Sequence, residues 1–308
     1  MFPIKSGSRR RVEIRGGQQS GRAQQRVSNE RRSASRPLFT EGWRKPIGRR
    51  FVSVSQNCSR CSNNSIHIWV ADADRLLCAK SCLKLLTEKD WDSLNRIQNP
   101  ANRNSAITAR VLLRLGLSKA VDRAVAPMEW DFSVTAQHRP IVAKGLPQVY
   151  FSVSHVDQLA VVAISPHLNI GIDVEGVDQS VTENVMAAFC HHDEQRSVLA
   201  LSDLQRTREF IRLWTLKEAY TKMLGVGHML DFKLIKFMLG PIDVSTDGGA
   251  TGAPTLFENF YVSLKHALFH ASIAIEEPAR IVDSTEVQII SLTDSAGEGA
   301  VLVSPSCA

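Results

Sequence analysis

Hydrophobic and polar positions follow two different periods along this chain. Between residues 148 and 165, apolar side chains alternate with polar ones or form short runs around a polar turn, HVDQ (155–158), which predicts a pair of strands. The segment 169–177 predicts a further strand. Residues 102–121 instead repeat their apolar positions at helical spacing, with Ser105 as the expected N-cap.

The remaining patterned segments complete an α+β chain. IHIWVAD (66–72) predicts the first strand of the ordered body, and a long helix is expected from there to about residue 96. A helical stretch runs from about 183 to 224, with a break expected near 202–206. Strand-like runs follow at 259–275 and 285–292. A division near Pro166 would give two α+β lobes.

Composition fits an ordinary globular protein with a basic extension. Hydrophobic residues make up 44% and charged residues 22% of the 308, and no apolar run approaches the ~18 residues that span a bilayer. We therefore expect no membrane partner. The net charge of +6 is uneven, because residues 1–50 hold twelve Arg and two Lys against three Glu, a charge of +11. The rest of the chain carries −5.

The basic segment leaves several interpretations open. Its Gly, Ser, Gln and Arg content is too polar to bury a core, so residues 1–60 are expected to be a disordered extension. We expect a cytoplasmic protein; the same composition would suit a mitochondrial or plastid presequence, or a misassigned start. Binding of nucleic acid by this tail is a further alternative, although the body has no basic stripe interleaved with aromatic residues.

The cysteines permit a metal interpretation that the helical pattern weakens. Cys58 and Cys61, followed by Cys78 and Cys82, have spacing that resembles a zinc site. However, Cys78 and Cys82 fall within the predicted helix, where cysteine usually serves as a small buried apolar residue.

WTLKEAYTKMLGVG (214–227) places two opposite charges on one helix face. Glu218 and Lys222 are four residues apart, whereas Lys217 lies on another face, and Gly225 is a natural stop signal. An i,i+4 pair of this kind is common on helix surfaces and contributes only about 0.2–0.5 kcal/mol. Taken alone, the segment therefore favours a surface salt bridge over a catalytic acid and base.

GIDVE (171–175) places two carboxylates on one face of a strand. Asp173 and Glu175 are two residues apart, so both project to the same side, while Ile172 and Val174 face the core. Paired hard oxygen ligands suit Mg²⁺, which takes the rest of its shell from water and phosphates. The alternative is an edge strand with two solvated acids.

FSVSHVD (151–157) contains Ser154 next to His155. Neighbours in a strand point to opposite faces, which argues against a hydrolytic Ser–His dyad. His155 could bind a phosphate, although a histidine at the end of a strand is more often structural. GxSxG, HExxH, P-loop and GxGxxG motifs are not found in the sequence, which removes the commonest hydrolase, zincin and nucleotide-binding interpretations.

In this order, FSVSHVD, GIDVE and LWTLKEAYTKMLGVG resemble the motifs of the 4′-phosphopantetheinyl transferase superfamily, in its larger Sfp-like and aminoadipate-semialdehyde-dehydrogenase-associated branch. The resemblance covers residues 66–275. It implies a pseudo-dimer of two similar α+β lobes, with the active site in the cleft between them. We accordingly divide the chain into an extension (1–60), an N-terminal lobe (61–166), a C-terminal lobe with the metal site (167–293) and a flexible tail (294–308).

The resemblance also implies a reaction. A serine of an apo acyl or peptidyl carrier protein attacks the β-phosphate of coenzyme A, accepts the phosphopantetheine arm and releases 3′,5′-ADP. Such carriers serve lysine biosynthesis through aminoadipate and fatty-acid, polyketide or nonribosomal peptide biosynthesis. The implied cofactor is Mg²⁺, with coenzyme A as co-substrate, and a monomer is expected. An Mg²⁺-dependent hydrolase of coenzyme A-like diphosphates would use the same carboxylates and remains an alternative.

Site residues follow from matching the motifs. Asp173, Glu175 and Glu218 match the acids that hold Mg²⁺, and Glu218 is also a candidate general base, directly or through water. Lys222 matches the lysine that binds the phosphates and protonates the leaving group.

The remaining matches concern binding of coenzyme A. Ser154 and His155 match a Ser–His pair at its phosphates, and Arg96 matches a basic residue for its 3′-phosphate. Arg139 lies in VTAQHRPIVAKG (134–145), which aligns with the loop around the adenine nucleotide. This sequence departs from the family there, with His138 in place of a glycine and Val134 in place of a polar residue, so we expect altered loop contacts.

Overall fold

A computed structural model describes residues 52–55, 65–78, 80–237, 244–246, 255–276, 287–291 and 302–305. Its seven α-helices are α1 (Ala73–Cys78), α2 (Lys80–Leu83), α3 (Glu88–Leu94), α4 (Pro100–Ala120), α5 (Glu183–Phe189), α6 (His192–Leu199) and α7 (Asp203–Leu224). Short 3₁₀ turns are found at Pro127–Glu129, Gly227–Met229 and Phe232–Leu234.

The strands assemble into two main sheets. They are β1 (Val52–Ser55), β2 (Ile66–Asp72), β3 (Phe132–Val134), β4 (Pro140–Val142), β5 (Tyr150–Val156), β6 (Leu159–Ser165), β7 (Ile170–Gly176), β8 (Ile235–Phe237), β9 (Val244–Thr246), β10 (Thr255–Leu264), β11 (Ala267–Glu276), β12 (Val287–Ser291) and β13 (Leu302–Pro305). The first sheet has the order β1-β12-β2-β6-β5 and the second β13-β10-β11-β7, while β3–β4 and β8–β9 form separate hairpins.

The two sheets face each other across a shared apolar layer. Ile68, Val70 and Val161 of the first sheet pack there with Ile172 and Val174 of β7. Helix α4 covers the other face of the first sheet, and α7 covers the other face of the second. This is the predicted α+β class, with a four-layer order of helix, sheet, sheet and helix.

Local patterns predicted the strands near the site well. The hairpin β5–β6 turns at residues 157–158, within the predicted HVDQ, and β7 lies within the predicted 169–177. Along β7 the apolar residues enter the layer between the sheets, and the residues between them face α7. Alternation of side chains along a strand thus separates core from chemistry within one short segment.

Helix boundaries differ from the predictions at their starts and breaks. Helix α4 begins earlier than expected, because Asn99 rather than Ser105 is the N-cap: the Asn99 side chain accepts a hydrogen bond from the Asn102 backbone N–H at 3.1 Å. Pro100 then occupies the first helical turn, where its missing N–H costs nothing. Ser105 lies inside α4 and donates to the Asn102 carbonyl.

The long helix predicted up to residue 96 is instead three short ones. A capping box starts α3, where Thr87 accepts from the Asp90 backbone N–H while the Asp90 carboxylate accepts from the Thr87 N–H. A second capping box, formed by His191 and Glu194, starts α6 and interrupts the helical stretch predicted from 183 to 224. Capping side chains divide both segments in spite of continuous helical spacing.

Three strands depart from the predicted organisation: β12 lies in a predicted strand run but belongs to the first sheet, and β1 and β13 fall in segments that were not expected to form strands. Strand β12, at 287–291, joins the first sheet in parallel with β2 although it follows the second sheet in the chain. Strand β1 pairs with β12, although its residues fall in the predicted extension. Strand β13 pairs with β10, within the segment expected to be a flexible tail. Most of the basic extension, with Cys58 and Cys61, lies outside the described residues.

No helix in the described part of the chain is long and apolar enough to cross a membrane.

Candidate active site

The predicted acidic pair lies on the face of β7 that α7 covers. Asp173 is completely buried, and Glu175, two residues further, is half-buried and accepts a hydrogen bond from Gln179 at 3.1 Å. β7 is an edge strand of its sheet, but it is not a solvated one, because α7 packs on one face and the apolar layer on the other. The alternative of two solvated acids is therefore wrong for Asp173.

Helix α7 directs a stripe of polar residues at the second sheet. Thr215, Glu218 and Lys222 are spaced three and four residues apart, so they lie along one side of the helix. The Lys222 ammonium contacts Asp173 Oδ1 at 2.6 Å and donates to the Ile172 carbonyl at 3.0 Å. Glu218, 4% exposed, lies between Thr215 and Lys222 on this stripe. The lysine therefore pairs with the strand acid, and a surface Glu218–Lys222 salt bridge is not what the structure shows.

Gly171 permits the close approach of α7 to β7. A Cβ atom at this position would lie 1.9 Å from the Ala219 carbonyl oxygen and 2.5 Å from the Met223 backbone nitrogen. Both are backbone atoms, which cannot move aside without moving the helix. The glycine of GIDVE is therefore explained by packing, and it brings Lys222 within reach of Asp173.

Two serines of β5 connect the edges of the two sheets. Ser154 donates its hydroxyl proton to Asp173 Oδ1 at 2.8 Å and accepts from the Val174 N–H at 3.3 Å. Ser152 accepts from the Ile172 N–H at 3.0 Å. Asp173 Oδ1 is thus contacted both by a hydroxyl from the first sheet and by the ammonium of Lys222. Ser154 orients the carboxylate.

His155 points away from Ser154, as strand alternation requires. Its Nδ1 lies 3.1 Å from the hydroxyl oxygen of Ser105 on α4, and the side chain is half-buried. A hydrolytic Ser154–His155 dyad is therefore not formed. Arg96 is exposed in the turn between α3 and α4. It lies nine residues before Ser105, the residue of α4 that contacts His155.

The guanidinium of Arg139 is hydrogen-bonded within the protein. Its Nη1 donates to the Met223 carbonyl at 3.0 Å and to Asn169 Oδ1 at 3.1 Å, and burial lowers its pKa. The cation lies at the C-terminal end of α7, where the helix dipole favours positive charge. Arg139 thus joins the β3–β4 hairpin to the end of α7, next to Gly225.

His138 adopts the backbone conformation that the family glycine would suit. Its φ is +62°, in the left-handed region that L-residues with side chains seldom occupy. The turn is closed by a His138 N–H bond to the Thr135 carbonyl at 2.9 Å. The side chain is exposed, as is that of Val134, so both departures from the family pattern lie on the surface of this hairpin.

A buried polar layer beside the acids was not predicted from the sequence. His270 is fully buried, pairs in register with Glu175, and its Nδ1 lies 2.9 Å from Thr215 Oγ1. Thr215 also lies 2.7 Å from Ser272 Oγ. Burial, with a further effect from Arg212, lowers the pKa of His270 to about 3, so the imidazole is neutral. The only sequence signal was a histidine in an otherwise apolar strand pattern, which usually indicates a core histidine.

The donor set of the acidic site fits a hard divalent cation. Asp173, Glu175 and Glu218 offer only carboxylate oxygens, which Mg²⁺ prefers. The carboxylate oxygens of these three residues do not all lie within 4.8 Å of one another. In the described part of the chain, the one group of three possible ligands that does so is His191, His192 and Asp193. The ligand atoms of the three acids are nevertheless of the kind that Mg²⁺ prefers. In the structure the counter-charge of Asp173 is Lys222.

The His191 cluster does not offer a comparable site. His191 Nδ1 accepts a hydrogen bond from the Asp193 backbone N–H at 3.1 Å, and Asp193 contacts the Lys236 ammonium at 2.5 Å. These contacts are those of a capped helix start.

Comparison with known proteins connects this region to one family. Residues 169–270 match the model of the 4'-phosphopantetheinyl transferase superfamily. The match begins just before β7 and ends at His270, so it includes Asp173, Glu175, Glu218 and Lys222. The predicted family resemblance is confirmed.

Curated relatives match a longer segment at low identity. The transferase HetI of Nostoc sp. is 28% identical over 169 residues, 54% of this chain and 70% of that protein. The L-aminoadipate-semialdehyde dehydrogenase-phosphopantetheinyl transferase of Xenopus laevis is 25% identical over 186 residues, 56% of this chain. The chain covers 59% of the Xenopus protein's length.

Among solved structures, the holo-[acyl-carrier-protein] synthase of Thermotoga maritima is 24% identical and covers 37% of this chain and 66% of its own. The TM-score is 0.28.

Proposed function

Because residues 169–270 match the model of the 4'-phosphopantetheinyl transferase superfamily, we propose that the chain transfers phosphopantetheine from coenzyme A to a carrier protein. The serine oxygen of an apo carrier bonds to the β-phosphorus, and the bond from that phosphorus to the bridging oxygen breaks. The serine proton goes to a base, and 3′,5′-ADP leaves. The reaction makes the holo carrier, as a holo-acyl-carrier-protein synthase does.

The observation that carries the proposal is the contact of 2.6 Å between Lys222 and the buried Asp173. It places a cation and a carboxylate at the junction of α7 and β7, with Glu218 on the same helix stripe and Glu175 on the same strand face. A diphosphate needs both positive charge for its oxygens and acids that hold a metal. Here those groups come from α7 and β7, whose close approach Gly171 permits.

Asp173, Glu175 and Glu218 are the residues that would hold Mg²⁺. When bound, the ion supplies charge neutralisation for the diphosphate and for the transition state. Lys222 balances the charge of Asp173, and on binding of substrate it would exchange this carboxylate for a phosphate oxygen. From there the ammonium can donate a proton to the leaving 3′,5′-ADP. Glu218 accepts the serine proton, directly or through a water.

Binding of the nucleotide is assigned to the first sheet and its helices. His155, oriented by Ser105 at 3.1 Å, contacts the phosphates, and Ser154 acts by fixing Asp173. The exposed Arg96 meets the 3′-phosphate. Arg139 acts less directly than the motif implies, because its guanidinium already binds Met223 and Asn169. It holds the β3–β4 hairpin in place, and the hairpin's surface contacts the adenine.

The wider assignments extend the same proposal. We assign the two lobes of a pseudo-dimer to 61–166 and 167–293, each with a sheet covered by one long helix, although β1 and β12 of the first sheet come from outside 61–166. Because an apolar core fills the space between the faces of the sheets, coenzyme A is assigned to a cleft at their edges, where β5 lies beside β7. The chain acts as a monomer in the cytoplasm on a carrier domain of aminoadipate, fatty-acid, polyketide or peptide biosynthesis. The support is that both halves place one long helix, of 21 and 22 residues, on the outer face of a sheet.

Mass spectrometry of several apo carrier proteins tests the proposal. Each is incubated with the chain, coenzyme A and Mg²⁺, and release of 3′,5′-ADP is followed by chromatography. The expected result is a gain of one phosphopantetheine arm on at least one carrier, stoichiometric with nucleotide release and abolished by chelation of the metal. Nucleotide release without any carrier would instead establish a diphosphate hydrolase. Neither product, with every carrier class, would overturn the proposal.

A further inference from the structure

The middle of α7 is buried on all sides. Every residue from 215 to 221 is buried, so the apolar pattern distinguishes no face of the helix from any other. Lys217 and Glu218 are successive residues and point about 100° apart around the axis, as 3.6 residues per turn requires. The rotation that turns Glu218 toward β7 is therefore set by specific polar contacts, among them those of Lys222 with Asp173 and of Thr215 with His270.

Lys217 provides such a contact on a face away from the sheet. Its side chain is 1% exposed, and its ammonium lies 2.5 Å from Glu194 Oε2. It also donates to the carbonyl of Phe232 at 2.8 Å and of Phe189 at 3.1 Å. An ammonium has three N–H donors, and all three have an acceptor here.

Glu194 connects this lysine to the surrounding backbone. Its Oε2 accepts from the His191 N–H at 2.8 Å, and its Oε1 accepts from the Phe237 N–H at 2.7 Å. Through two side chains, α7 is therefore bound to α5, α6, β8 and the 3₁₀ turn at Phe232. Rotation of α7 about its axis would separate the Lys217 ammonium from these acceptors. Such rotation is therefore strongly unfavourable, because it would leave a buried charge unpaired.

We propose that the Lys217–Glu194 pair is a positioning device that sets the rotation of α7, and with it the direction of Glu218 and Lys222 toward β7. Lys217 and Glu194 touch neither substrate nor metal in this account. The inference rests on the proposed function, since it names which residues keep the acid and the lysine of that site in place.

The first half of the chain contains a similar buried ion pair, on a helix that carries none of the proposed metal ligands. Arg114, in the middle of α4, contacts Asp90 Oδ2 at 2.6 Å and donates to the carbonyls of Pro127 and Trp130 at 2.8 and 2.9 Å. Like Glu194, Asp90 is the acidic member of a capping box in a short preceding helix. This pair supplies the control, because it holds a helix that carries neither Glu218 nor Lys222.

The test compares two double variants that neutralise each pair. Lys217→Met with Glu194→Gln removes the pair on α7, and Arg114→Met with Asp90→Asn removes the pair on α4. Asp90 also contacts Arg110 at 2.7 Å, and the amide that replaces the carboxylate keeps an acceptor oxygen for that side chain. For each we would measure thermal unfolding, Mn²⁺ affinity by electron paramagnetic resonance, and kcat and KM for coenzyme A. The single variant Glu194→Gln, which keeps the two carbonyl contacts of Lys217, provides a milder change should the first double variant fail to fold.

We expect the α7 variant to bind Mn²⁺ about 10–100-fold more weakly and to lose kcat by a similar factor, which is typical when residues that orient metal ligands are removed. KM for coenzyme A should change less than kcat. The α4 variant should keep its Mn²⁺ affinity. Glu194→Gln should shift both quantities in the same direction by less.

A folded α7 variant with unchanged Mn²⁺ affinity and kcat would overturn the inference. So would equal losses in both double variants, or a wild-type chain that binds no Mn²⁺. A wild type that binds Mn²⁺ but modifies no carrier would remove the proposed function alone, and the Mn²⁺ affinities of the variants would still decide the positioning role.

Discussion

The two long helices of this protein are anchored alike but meet their sheets with different side chains. On α4, Gly116 lies against Trp69 and Ile164 in an apolar contact. Nearer the start of that helix, Ser105 reaches His155. On α7, Lys222 reaches Asp173 and Thr215 reaches His270. Packing and buried ion pairs are thus sufficient to hold a helix on a sheet. An ammonium that faces the sheet and pairs with a buried carboxylate, as Lys222 does with Asp173, is what distinguishes α7.

The largest expected difference between the two helices comes from changing the same residue type at matched places. Lys222 and Lys119 both lie in the last turn of their helix. Lys222→Gln should lower transfer by about 10²–10⁴-fold, the range for a group that assists proton transfer. Lys119→Gln should change it less than about 2-fold, since α4 carries no acid or base of the site. Steady-state transfer rates decide this, and equal losses would contradict the assignment of chemistry to α7.

Two glycines offer the next largest contrast. Gly171→Ala would force a Cβ onto the backbone of α7 and should cost at least about 3 kcal/mol, above the usual range for overpacking, and reduce activity as well. Gly116→Ala meets side-chain atoms, Ile164 Cδ1 at 2.3 Å and Trp69 Nε1 at 2.9 Å, which can move. It also gains about 1 kcal/mol of helix propensity. We expect a net cost of about 1 kcal/mol in urea unfolding; similar costs at both sites would contradict the close-approach argument.

The polar layer should make stability depend on pH. His270 has a pKa lowered from 6.5 to about 3, so at acidic pH the unfolded chain binds a proton that the folded chain does not. The contribution of His270 to the free energy of unfolding is fully present above pH 6.5. It should fall by up to about 1.4 kcal/mol per pH unit as the pH decreases toward 3. Arg212, Thr215, Tyr261 and Asp173 surround this group.

Urea unfolding at several pH values, without metal, measures the effect. His270→Asn should flatten the dependence between pH 6.5 and 4 relative to wild type, although it lowers stability at neutral pH. The exposed His192→Asn variant is the control and should keep the wild-type slope. An unchanged slope in His270→Asn would show that other groups cause the dependence.

The smallest expected effect concerns the hairpin of the first half. His138→Gly should raise the free energy of unfolding by about 0.5 kcal/mol, because glycine relieves the left-handed backbone but adds freedom to the unfolded chain. Ala136→Gly, in the same turn but without a positive φ, should lower it by a similar amount. Thermal unfolding of both variants is sufficient, and a gain from Ala136→Gly would contradict the interpretation.

The parts predicted well from the sequence are those that neighbours in the chain determine. The β5–β6 turn, the alternation of Asp173 with Ile172 and Val174, and the stop of α7 at Gly225 all depend on a few consecutive residues. The breaks at Thr87 and His191 were missed because capping side chains outweighed helical spacing.

Contacts between distant residues could not be predicted in this way. Helical spacing correctly predicts that Lys217 lies on another face than Glu218, but it gives no sign of its partner Glu194, 23 residues earlier. Arg139 carries a family motif, yet its guanidinium binds the end of α7 84 residues later. Sequence spacing identifies which groups could react, whereas pairing across the fold decides which of them are occupied elsewhere.

Binding of coenzyme A by calorimetry, with and without Mg²⁺, tests most directly whether the α7–β7 junction is the site. Wild type should bind coenzyme A more tightly with Mg²⁺, and Asp173→Asn, which removes a proposed metal ligand while keeping its shape, should lose that difference. Binding of coenzyme A that is indifferent to Mg²⁺, or a metal effect that persists unchanged in Asp173→Asn, would contradict the account.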